Sequence, residues 1–208
     1  MLFEPHFHYW KEFFSAPEKC YAVGYWQSER YFKSVETSIR QAFSFKIPLD
    51  GKNTEVADKI SKGNAVSLHI RRGDYANDQA THAVHGLLPM RYYQMAVTHA
   101  AQFLESPRFF VFSDDIGWAR ANLNLNYSCE FIDHNRGADS YRDMQLMSLC
   151  DHHIIANSSF SWWGAWLNPD PGKIVIAPKE WFANANDVSD LFPSGWVEIS
   201  VESPLVNK

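Results

Sequence analysis

Ala65-Val66-Ser67-Leu68-His69-Ile70-Arg71-Arg72-Gly73-Asp74-Tyr75 is the stretch on which the architecture turns. An apolar, β-branched run stops abruptly, and two arginines, a glycine and an aspartate follow at once. A buried strand ending in charge is the expected local structure. Ligands of α/β sheets sit outside the carboxyl ends of the strands, and the planar fork of arginine suits bidentate contact with phosphate or carboxylate. Alternate residues of a strand share a face. His69 and Arg71 are therefore expected to point together and Arg72 to point elsewhere, so that one arginine holds an anion while the other pairs with an aspartate. The competing reading is two surface arginines, each in its own salt bridge.

Strand and helix alternate on the C-terminal side of this run. Helices are expected at 89–104, where Met90, Tyr93, Val97, Ala101 and Leu104 make an apolar stripe, at 116–123, at 141–149 and from about Ser158. Strands are expected at 65–70, 108–112, 130–132, 153–156 and 173–177, with a last one at 196–201. This alternation predicts an α/β fold with a parallel, Rossmann-like sheet. On the N-terminal side, 54–62 reads as a short helix with Thr54 as its cap and Gly63 as its stop. Ser28 is placed to cap a helix whose face is Phe32, Val35, Ile39 and Phe43. Residues 1–27 are rich in aromatics without a clear period. Pro48-Leu49-Asp50-Gly51 is a turn, and a boundary falls there, dividing 1–50 from 51–208.

The 208 residues carry 46% apolar and 21% charged side chains, an ordered globular composition. A formal charge of −5 argues against a nucleic-acid partner bound through a general basic surface. Local arginines can still bind a small anion. Cys20, Cys129 and Cys150 cannot all pair and form no Cys-x-x-Cys motif, so reduced thiols and a cytoplasmic location are expected. No apolar run approaches the ~18–20 residues of a spanning helix, and Met1 to His8 lacks the basic and apolar regions of a signal peptide.

Three more segments carry candidate chemistry. In Ile154-Ile155-Ala156-Asn157-Ser158-Ser159-Phe160, a buried strand runs into a polar turn and a helix. The unpaired first amides of that helix favour an anion, to which Asn157, Ser158 and Ser159 can add donors; ordinary capping is the alternative. Ser113-Asp114-Asp115 either caps the helix that follows, through Ser113 or Asp114, or holds a divalent metal for phosphate hydrolysis through Asp114 and Asp115, with capping favoured. Asp143 can cap its helix, pair with an arginine of the first motif, or accept from the N–H edge of guanine. His152 and His153 are adjacent on a strand, face opposite sides, and are not expected to share a metal.

The run His69-Ile70-Arg71-Arg72-Gly73-Asp74-Tyr75 is similar to the first signature of the α-1,2-fucosyltransferases, glycosyltransferase family 11. Phe110-Val111-Phe112-Ser113-Asp114-Asp115 and the long block from Asp143 through His152 to Asn168 agree with the same family, in the same order. Gly24-Tyr25-Trp26-Gln27-Ser28-Glu29-Arg30-Tyr31-Phe32 also resembles a family segment. The resemblance implies a GT-B-type architecture, of which 51–208 would be the GDP-fucose-binding lobe and 1–50 a remnant of the other. It implies inverting transfer of fucose from GDP-fucose to the 2-hydroxyl of a terminal galactose on a β-galactoside glycan. It further implies no metal and no cofactor beyond the donor. By analogy with related α-1,6-fucosyltransferases, His69 and Asp143 would hold guanine and Arg71 the β-phosphate. Asn157, Ser158 and Ser159 would contribute to the diphosphate site, and Arg72 would brace the motif against Asp143. The expected general base is one of Asp74, Asp78 and His85. Family members carry further residues before the Gly24 segment, so an incomplete first lobe is expected, with donor binding retained and transfer impaired. Peripheral association with a membrane is part of the same expectation.

Overall fold

The chain divides into two units, Met1–Ser44 with Ala185–Gly195, and Phe45–Asn184 with Trp196–Lys208. The computed structural model describes residues 1–184 and 186–202. In the first unit, strand β1 (Leu2–Phe3) pairs in parallel with β2 (Ala22–Val23). The Glu4 carboxylate accepts from the backbone N–H groups of Tyr25 and Trp26 at 2.7 and 3.0 Å. Between these points the rings of Trp10, Phe13, Trp26 and Tyr31 pack together. The aromatic stretch that lacked a period therefore packs through ring contacts rather than through regular elements. The helix expected after Ser28 is broken into short 3-10 turns. Ser28 caps the first of them by accepting from Arg30 N–H, and helix α1 covers only Glu36–Ala42. The expected apolar face is not buried: Val35 and Phe43 are each about half exposed.

The second unit is built on six parallel strands: β3 (Ala65–Ile70), β4 (Arg108–Ser113), β5 (Ser128–Phe131), β6 (His152–Ile154), β7 (Val175–Pro178) and β8 (Val197–Ile199). Their spatial order is β5-β4-β3-β6-β7-β8. The chain runs outward from β3 to one edge, returns beside β3, and runs to the other edge. That is the doubly wound order of Rossmann-like sheets, and its direction reverses between β3 and β6. The helices are α2 (Gly51–Ile60), α3 (Gly73–Asn77), α4 (Gln79–His85), α5 (Met90–Phe103), α6 (Ile116–Asn122), α7 (Tyr141–Leu149) and α8 (Ser159–Leu167). Among the described residues no helix is long and apolar enough to cross a membrane.

Strand periodicity sorts the core into two faces. Val66, Leu68 and Ile70 pack with Phe109, Val111 and the α5 side chains Tyr92, Tyr93, Ala96 and Val97. Ala65, Phe110 and Phe112 pack with Val56 and Ile60 of α2 and Leu146 and Met147 of α7 on the other face. Every residue of β3 is buried, as a central parallel strand requires. Gly164 of α8 lies so close to α7 that a Cβ there would stand 3.2 Å from Met147. Small differences from the expected elements concern ends. Helix α2 starts at Gly51, so Thr54 lies inside it rather than capping it. Strand β6 ends at Ile154, and the run 155–157 leads out of the sheet. The stretch after the arginines is not a loop: α3 and α4 occupy it.

Candidate functional site

A cavity of about 520 Å³ opens at the carboxyl ends of β3 and β4, beside the reversal point of the sheet. His69 and Arg71 reach it from the end of β3, Phe112 to Gly117 from the end of β4, Asp133, Asn135, Arg136 and Gly137 from the stretch after β5, Asp143 from α7 and Phe160 from α8. The period of two puts His69 and Arg71 on the α7 face of the sheet, where Asp143 stands; Val66, Leu68 and Ile70 take the opposite face.

His69 is almost fully buried, and its Nδ1 has no hydrogen-bond partner among the described residues. Burial, reinforced by the nearby Arg71 charge, pushes its pKa down to about 3, so the imidazole is neutral. Its ring lies 5.6 Å from that of Phe160. Asp143 accepts from Asn135 Nδ2 at 2.7 Å. Burial lifts its carboxyl to about 6, against the lowering effect of that hydrogen bond.

Arg71 is held on two sides. Its Nη2 lies 2.8 Å from Asp74 Oδ1, and its Nε lies 3.1 Å from Asp114 Oδ2. Asp114 also accepts from the backbone N–H of Arg72 at 2.8 Å. Gly73 is where this carboxylate needs room, since a Cβ there would stand 2.6 Å from Asp114 Oδ2. Arg72 turns away, as its register, shared with Val66, Leu68 and Ile70, dictates. Its guanidinium lies 3.7 Å from the centroid of the Trp118 ring, and its Nε is 4.0 Å from Asp115. The brace for Arg72 is thus α6, not Asp143, because Asp143 stands on the other face of the sheet.

Asp115 rather than Ser113 or Asp114 caps α6, accepting from Trp118 N–H at 3.0 Å. Both carboxylates of the Ser113-Asp114-Asp115 segment are therefore engaged in protein contacts. The capping reading of this segment holds, through a different residue. Among the described residues no group of three or more His, Cys, Asp or Glu side chains is arranged to hold a metal ion. His153 is clamped between Ser67 Oγ at 2.8 Å and Asn168 Nδ2 at 3.0 Å, while His152 Nδ1 accepts from Ile174 N–H. They face apart, as the strand period requires.

The end of β6 is arranged differently. Asn157 Nδ2 donates to the carbonyls of His85 and Trp181 at 2.8 and 3.2 Å. Ser158 is the N-cap residue of α8, but its side chain makes no capping bond, and Ser159 is exposed. From this segment the cavity takes Phe160 and none of Asn157, Ser158 and Ser159. Of the base candidates, Asp74 is engaged with Arg71. Asp78 caps α4 through Thr81, whose hydroxyl and N–H hold its carboxyl below the usual range. His85 stacks on Tyr75 with ring centroids 4.6 Å apart. Burial lowers its pKa, with Asp74 raising and Arg71 lowering it less strongly. Asn135 and Arg136 line the cavity without having been singled out in the sequence, and Asn53, outside the lining, reaches it through its hydrogen bonds to Asn135. Arg136 lines the cavity without an ion pair among the described residues. An arginine in a short polar loop after a strand was the available signal.

A cavity of this kind beside the reversal point of a doubly wound sheet, with an arginine in its lining, is the ligand site of a Rossmann-like domain. The chain belongs to glycosyltransferase family 11, whose model, Glycosyl transferase family 11, matches residues 7–200. It is similar to an alpha-1,2-colitosyltransferase of Escherichia coli, 44% identical over 184 residues, covering 85% of this chain and 61% of that protein. It is also similar to the O-antigen biosynthesis glycosyltransferase WbnK of Escherichia coli, 43% identical over 65% of this chain and 45% of that protein. A bovine galactoside 2-alpha-L-fucosyltransferase, SEC1, is 32% identical over 49% of this chain and 28% of its own length. The chain spans about three fifths or less of these relatives.

Proposed function

We propose that the cavity binds GDP-fucose and that the chain carries the donor site of an inverting α-1,2-fucosyltransferase acting on the 2-hydroxyl of a terminal β-galactoside. The observation that supports this most is the pairing, in one cavity, of a neutral buried His69 and the Asp143 carboxylate with Arg71 on the adjoining strand end. A carboxylate matches the two N–H donors on the guanine edge, and adenine lacks that pattern. Arg71 would meet the diphosphate, and its pre-set orientation would stabilise the charge that develops as GDP leaves. Breaking the sugar–phosphate bond sends its electron pair to GDP, while the acceptor hydroxyl bonds to the sugar carbon and gives its proton to a base. Among the base candidates His85 has its pKa lowered, chiefly by burial, which favours the neutral ring that a base requires. In this reading no cofactor beyond the donor takes part.

Calorimetric titration with GDP and ADP, with and without EDTA, tests the donor site. The expected result is GDP binding far tighter than ADP binding and undiminished by EDTA; equal affinities would defeat the reading. Transfer to lactose, followed by mass spectrometry, tests the activity. A second reading has one observation in its favour. The 44% identical relative is named a colitosyltransferase, and colitose is fucose without one ring hydroxyl. Competition between GDP-fucose and GDP-colitose for the cavity separates the two sugars.

A further inference from the structure

We infer that Asn53, which contributes nothing to the cavity lining, is a positioning residue that aims the Asp143 carboxylate into the cavity by fixing the amide of Asn135. Asn53 lies in the first turn of α2 and is 5% exposed. Its Nδ2 donates to Asn135 Oδ1 at 3.0 Å, and Asn135 Nδ2 donates back to Asn53 Oδ1 at 2.8 Å. The same Asn135 Nδ2 donates to Asp143 Oδ1 at 2.7 Å. His134 Nε2, 2.9 Å from Asn53 Oδ1, adds a further contact.

The ionised Asp143 carboxylate only accepts, so it selects the NH₂ of Asn135, and the reciprocal pair with Asn53 holds that amide in place. With Asn135 Oδ1 taken by Asn53 Nδ2, its NH₂ is the group that faces the carboxylate. If the amide turned over, its oxygen would face a carboxylate oxygen, and the charge would lose its hydrogen bond in a place where burial already disfavours it. Oδ1 is thereby committed to the protein. Oδ2 has no hydrogen bond among the described residues and is left for a ligand. The other titratable or charged groups lining the cavity are His69, Arg71, Asp114, Asp115, Asp133 and Arg136. None of them makes a hydrogen bond or ion pair with Asp143 among the described residues. Asn135 is therefore the protein partner through which the carboxylate is oriented, and Asn53 is what orients Asn135. This inference rests on the reading of Asp143 as the base-recognising group.

The test compares Asn53→Ala, Asn135→Ala and Asp143→Ala in the full chain. One readout is the Asp143 side-chain carboxyl, titrated by carbon NMR without nucleotide. The other is the ratio of GDP to ADP affinity by calorimetry. Asn53→Ala is expected to move the Asp143 titration above about 6 and to cut GDP affinity about tenfold, the lower end for a hydrogen bond to a charged group, with ADP affinity unchanged. Asn135→Ala, in the loop, is expected to do the same, and decides the matter if the buried substitution prevents folding. A purely structural Asn53 would lower thermal stability without moving either readout, and that result overturns the inference. So does an unchanged GDP to ADP ratio in both amide variants when Asp143→Ala abolishes it. If Asp143→Ala itself keeps the GDP preference, base recognition by Asp143 fails, and the role assigned to Asn53 fails with it.

Discussion

The carboxyl ends of β3 and β6 are neighbours at the centre of the sheet, and each is followed by polar residues suited to an anion, yet they are used differently. At the β3 end His69 and Arg71 face the cavity. Asp74 and Asp114 hold Arg71 at its mouth without burying it. At the β6 end the Asn157 amide is spent on two backbone carbonyls, those of His85 and Trp181, and the Tyr75 hydroxyl donates to the Asn157 carbonyl at 3.1 Å. The β3 end offers its side chains outward; the β6 end uses Asn157 to fasten the chain around it. What a polar residue at a strand end does depends on which groups reach it first, and those groups come from distant sequence.

The largest effect expected from this contrast is at Arg71. Arg71→Lys keeps the charge and loses the fork. GDP affinity should fall by about 1.5–3 kcal/mol, the range for a hydrogen bond to a charged group, with the melting temperature nearly unchanged. An unaltered dissociation constant would remove Arg71 from the site.

Asn157→Ala should show the opposite division. It leaves two carbonyls without their donor, so urea unfolding should report a loss of about 1–3 kcal/mol, while GDP affinity in the folded fraction stays within about threefold, less than 1 kcal/mol. A large loss of affinity with no loss of stability would move the ligand to the β6 end and break the comparison.

The pH response should be a little smaller, and it has two signs. Free aspartate titrates near ~3.9, and in the fold Asp143 titrates at about 6. The native state therefore favours the neutral carboxyl. That contribution to stability is fully present below about pH 4 and is lost as pH rises through about 6. Binding runs the other way, because guanine N–H groups need the carboxylate. GDP affinity should fall by up to about tenfold per pH unit below 6, or ~1.4 kcal/mol. Asp143→Asn should flatten both profiles; an affinity that is level from pH 5 to 7 in the unsubstituted protein would count against the role of Asp143.

The smallest effect is expected at Ser159. It is exposed and outside the cavity lining, so Ser159→Ala should change stability and GDP affinity by no more than about 0.5 kcal/mol. A tenfold loss of affinity would show that the start of α8 is part of the diphosphate site.

Much of the second unit was legible in its pattern. The buried run ending at Ile70 and the repeated strand–helix alternation dictate a parallel sheet, and the period of two assigned His69 and Arg71 to one face and Arg72 to the other. The first unit was less legible. The regular spacing of Phe32, Val35, Ile39 and Phe43 suggested a helix whose face is in fact largely exposed, and the ring cluster around Trp26 has no period to read. The helices α3 and α4 were missed because Gly73-Asp74 and Asn77-Asp78 look like turn residues, whereas Asp78 is a helix cap.

The order of apolar and polar residues along the chain was sufficient for the class of sheet, the faces of its strands and the position of its functional end, because each of these follows from a local period. It was not sufficient for the partners of the charges. That Asp114 rather than Asp143 meets Arg71, that Arg72 lies on Trp118, and that Asn53 reaches Asp143 through Asn135 depend on side chains brought together from β3, β4, α2, α6 and α7. A hydrogen bond or ion pair is made over about 3 Å, and only the packing of those elements brings such groups within that distance.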